Sequence, residues 1–189
     1  MQTFNIYLCG VGGQGVGLLS EVLLRAADHA GLQAKAVDTH GLAQRGGIVV
    51  SHLRIGESVF SPMVPKGKAD LVVALERHEA KRAAATALRD NGTLIYYNTV
   101  LQPLGVRLGH EKEIGEEDLV SYCSGRNIEI ITVKSSDISD PRMQNMAVLS
   151  HINKNTLVPR VQRQHYAEAM TDLMTGTTLE TNLRLFDNG

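Results

Sequence analysis

Short apolar or β-branched runs bounded by polar and glycine positions occur at Phe4 to Cys9, Gln33 to Val37, Ile48 to Ile55, Asp70 to Leu75, Thr93 to Tyr97 and Ile128 to Val133. This is the signal of strands. Asp70-Leu-Val-Val-Ala-Leu75 is apolar almost throughout, as in a strand buried on both faces of a parallel sheet. Between these runs the spacing turns helical. Val16, Leu19, Leu23, Ala26 and Ala30 predict a first helix, with Gly31 where a left-handed C-terminal cap falls. Ala80, Ala83, Ala84, Ala87 and Leu88 predict a second, with Asn91-Gly92 as its stop, and Glu116 to Arg126 a third. Strand, helix, strand from Phe4 to Val37 reads as a right-handed βαβ unit.

From Pro141 onward the pattern is helical to the end, in three segments marked by Met143, Met146, Ala147 and Leu149, by Tyr166, Ala169, Met170 and Leu173, and by Leu179, Leu183 and Phe186. A methionine stripe at this spacing reads as core. Pro62, Pro65 and Gly67 mark an irregular connection, and Gln102 to Lys112 fits a short hairpin or an edge strand. The predicted class is α/β: a Rossmann-like open, mostly parallel sheet flanked by helices, with a helical C-terminal segment. No internal repeat or linker divides the chain, so residues 1–189 are read as a single domain.

Two polar, glycine-rich stretches interrupt this pattern. Gly10-Val-Gly-Gly-Gln-Gly15 joins the first strand to the first helix, which puts unpaired backbone N–H groups at the positive end of a helix dipole. Thr39-His-Gly-Leu-Ala-Gln-Arg-Gly-Gly47 follows the second strand, so both bends are expected at the carboxyl edge of the sheet, where open α/β sheets bind ligands. The candidate residues are Gly10, Gly12, Gly13, Gln14 and Gly15 in the first bend, and Thr39, His40, Gly41, Gln44, Arg45, Gly46 and Gly47 in the second.

By spacing alone, Gly10, Gly12 and Gly15 satisfy GxGxxG, and Asp38 stands where a dinucleotide-binding fold places the acid that bonds a ribose. An NAD(P)-binding oxidoreductase is one reading of that spacing, and glycines serving only tight strand–helix packing are another. The second bend is not something the dinucleotide fingerprint calls for. Arg45 can grip a phosphate or carboxylate in fork geometry, or pair with another subunit. His40 and His52 belong to seven scattered histidines without metal spacing and read as structural.

Charge and composition then remove whole classes. Acidic and basic residues nearly cancel and are interspersed, which gives no electrostatic footprint for nucleic acid or an anionic membrane. The chain opens into a strand-like run without a basic region, and no apolar stretch approaches the ~18–20 residues of a membrane span, so a cytoplasmic location is expected. GxxxxGK[ST], HExxH, CxxC and GxSxG are all missing. Cys9 and Cys123 make neither a disulfide framework nor a metal-ligand spacing, whereas an iron–sulfur centre generally takes about four thiolates.

Taken together, GVGGQG at Gly10 to Gly15, THGLAQRGG at Thr39 to Gly47, SHLRIG at Ser51 to Gly56, ADLVVALE at Ala69 to Glu76, DPRMQNMAVLS at Asp140 to Ser150 and NLRLFDNG at the end make the chain resemble the gamma subunit or domain of the 2-oxoacid:ferredoxin oxidoreductases. The likeness runs over almost the whole chain and is nearest to the stand-alone form, such as the beta subunit of indolepyruvate ferredoxin oxidoreductase. Ser150 departs from it, standing where the family commonly has glycine.

The resemblance implies an assembly that oxidatively decarboxylates a 2-oxoacid, forms an acyl-coenzyme A and reduces ferredoxin. It further implies a division of labour. Thiamine diphosphate, Mg and [4Fe–4S] clusters are expected on partner subunits, coenzyme A as a co-substrate of the complex, no cofactor or metal on this chain, and the two bends as a surface for partner or ligand. A pure assembly scaffold is the alternative within the same family.

Overall fold

The computed structural model describes residues 2–40, 47–101, 106, 108–110, 112–134, 138 and 140–188. One sheet contains β1 (Phe4–Val11), β2 (Gln33–His40), β3 (Ile48–Gly56), β4 (Ala69–Ala74), β5 (Leu88–Tyr97) and β6 (Glu129–Val133), in the order β2-β3-β1-β4-β5-β6. β1, β4, β5 and β6 are parallel, and β3 is antiparallel to both of its neighbours.

The period-two alternation of the central strands sorts the core into two layers. Ile6, Leu8, Leu71, Val73, Ile95 and Tyr97 pack toward α1 (Val16–His29), α4 (Gln144–Lys154), α5 (Arg163–Leu173) and α6 (Gly176–Asn188). Cys9, Val72, Ala74, Leu94 and Tyr96 pack toward α2 (Arg77–Thr86) and α3 (Glu116–Ser124). β4 is therefore apolar on both sides because both sides are covered. The small residues Ala80, Ala83 and Ala84 let α2 lie close on its strands, and the Tyr166 and Phe186 rings meet at 5.8 Å between α5 and α6.

α1 ends as its sequence predicts. Gly31 takes φ +72°, and the Leu32 N–H donates to the Ala27 carbonyl at 3.0 Å, which closes a left-handed cap. The described residues contain no helix long and apolar enough to cross a membrane.

Two expectations need correction. β1 and β2 run parallel on either side of α1 but are not neighbours, because β3 inserts antiparallel between them. The connection from His40 to Ile48 is too short for the crossover that a parallel pairing would need, so the chain doubles back as a hairpin. Asn91-Gly92 does not stop α2, which ends at Thr86. Leu88 is instead buried beside Ala69, and the pairing resumes at Leu71 with Thr93, so residues 89–92 bulge out with Asn91 at φ +56°. The Arg126 guanidinium makes this ending possible by donating to the Ala84 and Leu88 carbonyls. Between Gln102 and Lys112 the described residues form no strand, and Gln102, Pro103, Leu104, Gly105, Arg107 and Glu111 lie outside them.

Candidate functional site: two bends and a cleft at the sheet edge

β3 opposes both β1 and β2, so the two bends emerge at one edge of the sheet. They are bonded to each other there: the Gly12 N–H donates to the Gly47 carbonyl at 2.8 Å. On the second bend, Thr39 is exposed with its hydroxyl on the Val50 carbonyl at 3.3 Å, and His40 closes β2 opposite Val49. Gly41, Gln44, Arg45 and Gly46 lie outside the described residues.

The first bend is shaped from within. Gln14 is 1% exposed, and its side chain points into the protein. Its Oε1 accepts from the Val11 N–H at 2.8 Å, while its Nε2 donates to the Leu75 carbonyl at the end of β4 and to Gln144 Oε1 at 3.1 Å. One amide thus clasps the bend to a neighbouring strand and to the first residue of α4. Gly10 sits under this clasp. A Cβ there would come within 2.9 Å of Val16 Cγ2 and 3.0 Å of Gln14 Oε1, so no side chain fits. Gln14 and Gly10 are placed behind the surface, whereas Gly12, Gly13 and Gly15 line it.

That surface is a cleft of about 470 Å³ lined by the first bend, the first turn of α1, Val49, Arg142 and Asn145. Gly15 caps α1 in the left-handed conformation at φ +78° and offers no side chain to the helix, and the first turn carries no acid. The N–H groups of Val16, Gly17 and Leu18 have no intrahelical partner, and they give this end of the cleft its positive field. Arg142, its side chain 78% exposed, is held by a forked pair to Asp140 with the closest contact at 2.7 Å. The same guanidinium holds the Asp140 carboxyl below its usual range.

Asn145 is fully buried. Its Nδ2 donates to the Gly15 carbonyl at 3.2 Å, and its Oδ1 is the one buried side-chain polar atom without a partner among the described residues. Such an atom costs free energy unless something donates to it.

Gln144, Asn145 and Arg142 were not among the residues singled out by sequence. The available signal was two adjacent amides directly before the apolar run Met146 to Leu149, where a solvated face would carry charges and a plain core face apolar side chains.

Other candidates are placed away from any reactive arrangement. The Cys9 thiol is buried, lies 3.6 Å from the Glu79 carbonyl, and is pushed well up in pKa, chiefly by burial. Cys123 is buried and raised for the same reason. Neither is a poised thiolate. His52 accepts the Val64 N–H on Nδ1 and stands edge-on to Tyr7, a structural role in which burial lowers its pKa. Asp38 is exposed on β2, which β3 separates from β1. β2 is therefore not the strand beside the glycine turn, yet its Asp38 carboxyl reaches the first turn of α1, where Oδ2 lies 3.7 Å from the place a Cβ on Gly17 would take.

An open α/β sheet with a glycine bend bonded to a second bend at its carboxyl edge is the arrangement in which folds of this class bind ligands. Comparison with known proteins makes this specific. Residues 5–189 match the pyruvate ferredoxin/flavodoxin oxidoreductase family. The indolepyruvate oxidoreductase subunit IorB of Archaeoglobus fulgidus is 33% identical over 190 residues, covering 98% of this chain and 92% of that one. The chain belongs to the pyruvate ferredoxin/flavodoxin oxidoreductase family.

Solved structures agree in fold. The pyruvate oxidoreductase subunit PORC of Thermotoga maritima superposes with a TM-score of 0.69 at 21% identity, covering 98% of this chain and 94% of that one. The gamma subunit of a keto/oxoacid ferredoxin oxidoreductase from Geobacter sulfurreducens gives 0.68 at 20%, covering 97% and 94%. The 2-oxoglutarate:ferredoxin oxidoreductase of Magnetococcus marinus, solved with 2-oxoglutarate, coenzyme A and succinyl-CoA bound, gives 0.73 at 16% identity, covering 99% of this chain and 30% of that longer one.

Proposed function

We propose that this chain is the non-catalytic, gamma-type subunit of a 2-oxoacid:ferredoxin oxidoreductase, in which it borders the entrance used by the 2-oxoacid or coenzyme A. The name of the Archaeoglobus relative makes indolepyruvate the substrate to try first. Thiamine diphosphate with its magnesium, and the iron–sulfur clusters, are assigned to partner subunits that pass electrons to ferredoxin. The donor set of this chain does not fit a cluster. Its two cysteines are buried and cannot supply about four thiolates, and no group of three His, Cys, Asp or Glu comes together among the described residues.

The observation that carries this reading is the Gly12–Gly47 hydrogen bond, because it makes one rim of the two bends. The rim opens beside the cleft that holds the free N–H groups of α1, Arg142 and the unpartnered Asn145 Oδ1. An entering carboxylate or phosphate meets the positive end of α1 and the Arg142 fork, while a donor next to that anion satisfies Asn145. The chain's own part in this reading is to bind and orient.

The test is turnover. The purified chain, given a 2-oxoacid, coenzyme A and an artificial electron acceptor, is expected to do nothing alone and to restore activity when added to the larger cofactor-bearing subunit. Turnover by the chain alone would overturn the division of labour. Replacing Asn145 by Leu should leave assembly intact and raise the KM for coenzyme A or for the 2-oxoacid, and an unchanged KM for both would remove the cleft from the entrance.

A further inference from the structure

The segment between β3 and β4 carries a side chain that the fold does not use. Phe60 is 90% exposed, and Met63, three residues on, is 49% exposed. Their neighbours are not loose. Val59 and Val64 are buried on either side, and the backbone is tied to the sheet at four points. The Val59 N–H donates to Gln33 Oε1 at 3.1 Å, the Ser61 carbonyl accepts from Arg54 Nη1 at 3.2 Å, the Val64 N–H donates to His52 Nδ1 at 3.2 Å, and the Ser58 carbonyl accepts from the Thr3 hydroxyl at 3.4 Å. Phe60 is thus an apolar knob held outward on a strapped backbone, in contrast to the tip of a mobile loop.

Its surroundings are also only half covered. α2 and α3 pack over β1, β4, β5 and β6, and among the described residues the corresponding face of β2 and β3 is covered by this strap alone. A groove of about 730 Å³ runs from Phe60 along the outer strand β2, past Gln33, Ala34 and Lys35. A smaller hollow of about 260 Å³ lies on the other side of the strap, between Met63, Val50 and Lys66. Among the described residues Lys35 and Lys66 carry no ion pair, and Asp28 is the one carboxylate on either lining.

We infer that Phe60 and Met63 anchor a docking surface for the larger, cofactor-bearing subunit, and that this partner presents an apolar socket edged with carboxylates. The inference rests on the subunit reading above and adds to it a face distinct from the two bends. Three considerations select this occupant. A pre-organised aromatic costs little ordering on binding, which is the profile of an interface hot spot. Two unpaired lysines beside it call for acidic groups opposite. A second copy of this chain across a two-fold axis would bring Lys35 and Lys66 against a surface that offers Asp28 as its one carboxylate. In the longer Magnetococcus chain the matching fold makes up 30% of one polypeptide, so there it is part of a larger chain.

The experiment uses the native complex, separated into its subunits and reassociated on a biosensor surface at 0.15 M salt. Phe60→Ala should weaken association with the larger subunit about 30-fold or more. Lys66→Glu should slow the association rate several-fold, in a way that added salt reduces. Because the Phe60 side chain stands in solvent, the Phe60→Ala chain should keep its melting temperature, and Phe60→Leu should recover part of the affinity. Unchanged affinity in Phe60→Ala would overturn the inference. So would a homodimer of the isolated chain that Phe60→Ala dissociates while partner binding stays intact. If the unaltered chain fails to associate with the larger subunit, the subunit reading itself falls, an outcome separate from the loss of this surface alone.

Discussion

Replacing Gln14 by Ala removes one side chain and leaves three groups behind: the Val11 N–H, the Leu75 carbonyl and Gln144 Oε1. All three sit where the bend, β4 and α4 meet, and Leu75 and Gln144 are buried. A buried polar group that loses its partner costs about 1–3 kcal/mol. Water entering the vacated space satisfies part of this, so about 1 kcal/mol for each group, or about 3 kcal/mol in all, is the expected loss. In a chain of this size 1 kcal/mol moves the melting temperature by about 2–4 °C, so the midpoint should fall by about 6–12 °C, with a matching drop in the urea midpoint at constant slope.

Gln14→Glu sharpens the test. One carboxylate oxygen can still accept from the Val11 N–H, but the other then faces the Leu75 carbonyl and Gln144 Oε1, two acceptors of which a protonated carboxyl satisfies one and a carboxylate neither. The variant should therefore be markedly less stable at pH 8 than at pH 5, relative to the parent at each pH. A loss under 1 kcal/mol in Gln14→Ala, or a Gln14→Glu difference that ignores pH, would refute the clasp and return Gln14 to the surface as a contact residue.

Further expectations follow from the same geometry. Glu79, buried beside Glu76 and paired with Arg82 at 2.8 Å, has its pKa raised from 4.5 to about 7, mainly by burial. The folded chain then keeps a proton that the unfolded chain has released, so stability declines as pH rises from about 4.5 to about 7, by about 3 kcal/mol in all; urea midpoints for Glu79→Gln should lose that slope and exceed the parent's above pH 7. At Gly15 an added Cβ would stand 2.5 Å from Asn145 Nδ2 in a left-handed backbone, so Gly15→Ala should cost at least about 1–2 kcal/mol and disturb the cleft, measured by melting and by the KM values of the reconstituted complex. A dinucleotide present at about a hundred times its dissociation constant would add about 2.7 kcal/mol, so an unmoved melting curve in excess NAD(H) and NADP(H) is expected from the strand order, in which β3 and not β2 adjoins β1 on that side.

Much of the architecture was legible because local pattern and burial agree. Asp70 to Leu75 reads as doubly covered and is so, and the Val16, Leu19 and Leu23 stripe lies on the sheet as its spacing requires. The two misreadings have one source. Strand neighbours and helix ends are decided by groups far away in sequence: β3 takes the place beside β1 because a short connection forces a hairpin, and α2 stops early because Arg126 donates to the carbonyls of Ala84 in its last turn and of Leu88 just beyond it, and Leu88 is worth more in the sheet. The adjacency of the two bends was legible from strand polarity alone. Arg142 and Asn145 were not, since only the tertiary fold brings the start of α4 to the first bend.

That last contact changes what the glycine stretch means. Read alone, Gly10 to Gly15 is a flexible turn whose shape a ligand could set. In the fold, Gln14 reaches Gln144, 130 residues further on, and Asn145 reaches the Gly15 carbonyl, so consecutive residues at the start of α4 hold the last two residues of the bend. The bend and the Asp140 to Ser150 segment therefore form one structural unit, and each constrains the other. Gln144 can be exchanged only for a residue that still accepts from Gln14. Asn145 can lose its Nδ2 bond only if Gly15 keeps its position by another means. A Gln14→Ala, Gln144→Ala double variant should accordingly cost less than the sum of the single changes, because the second deletion removes an acceptor that the first has already orphaned.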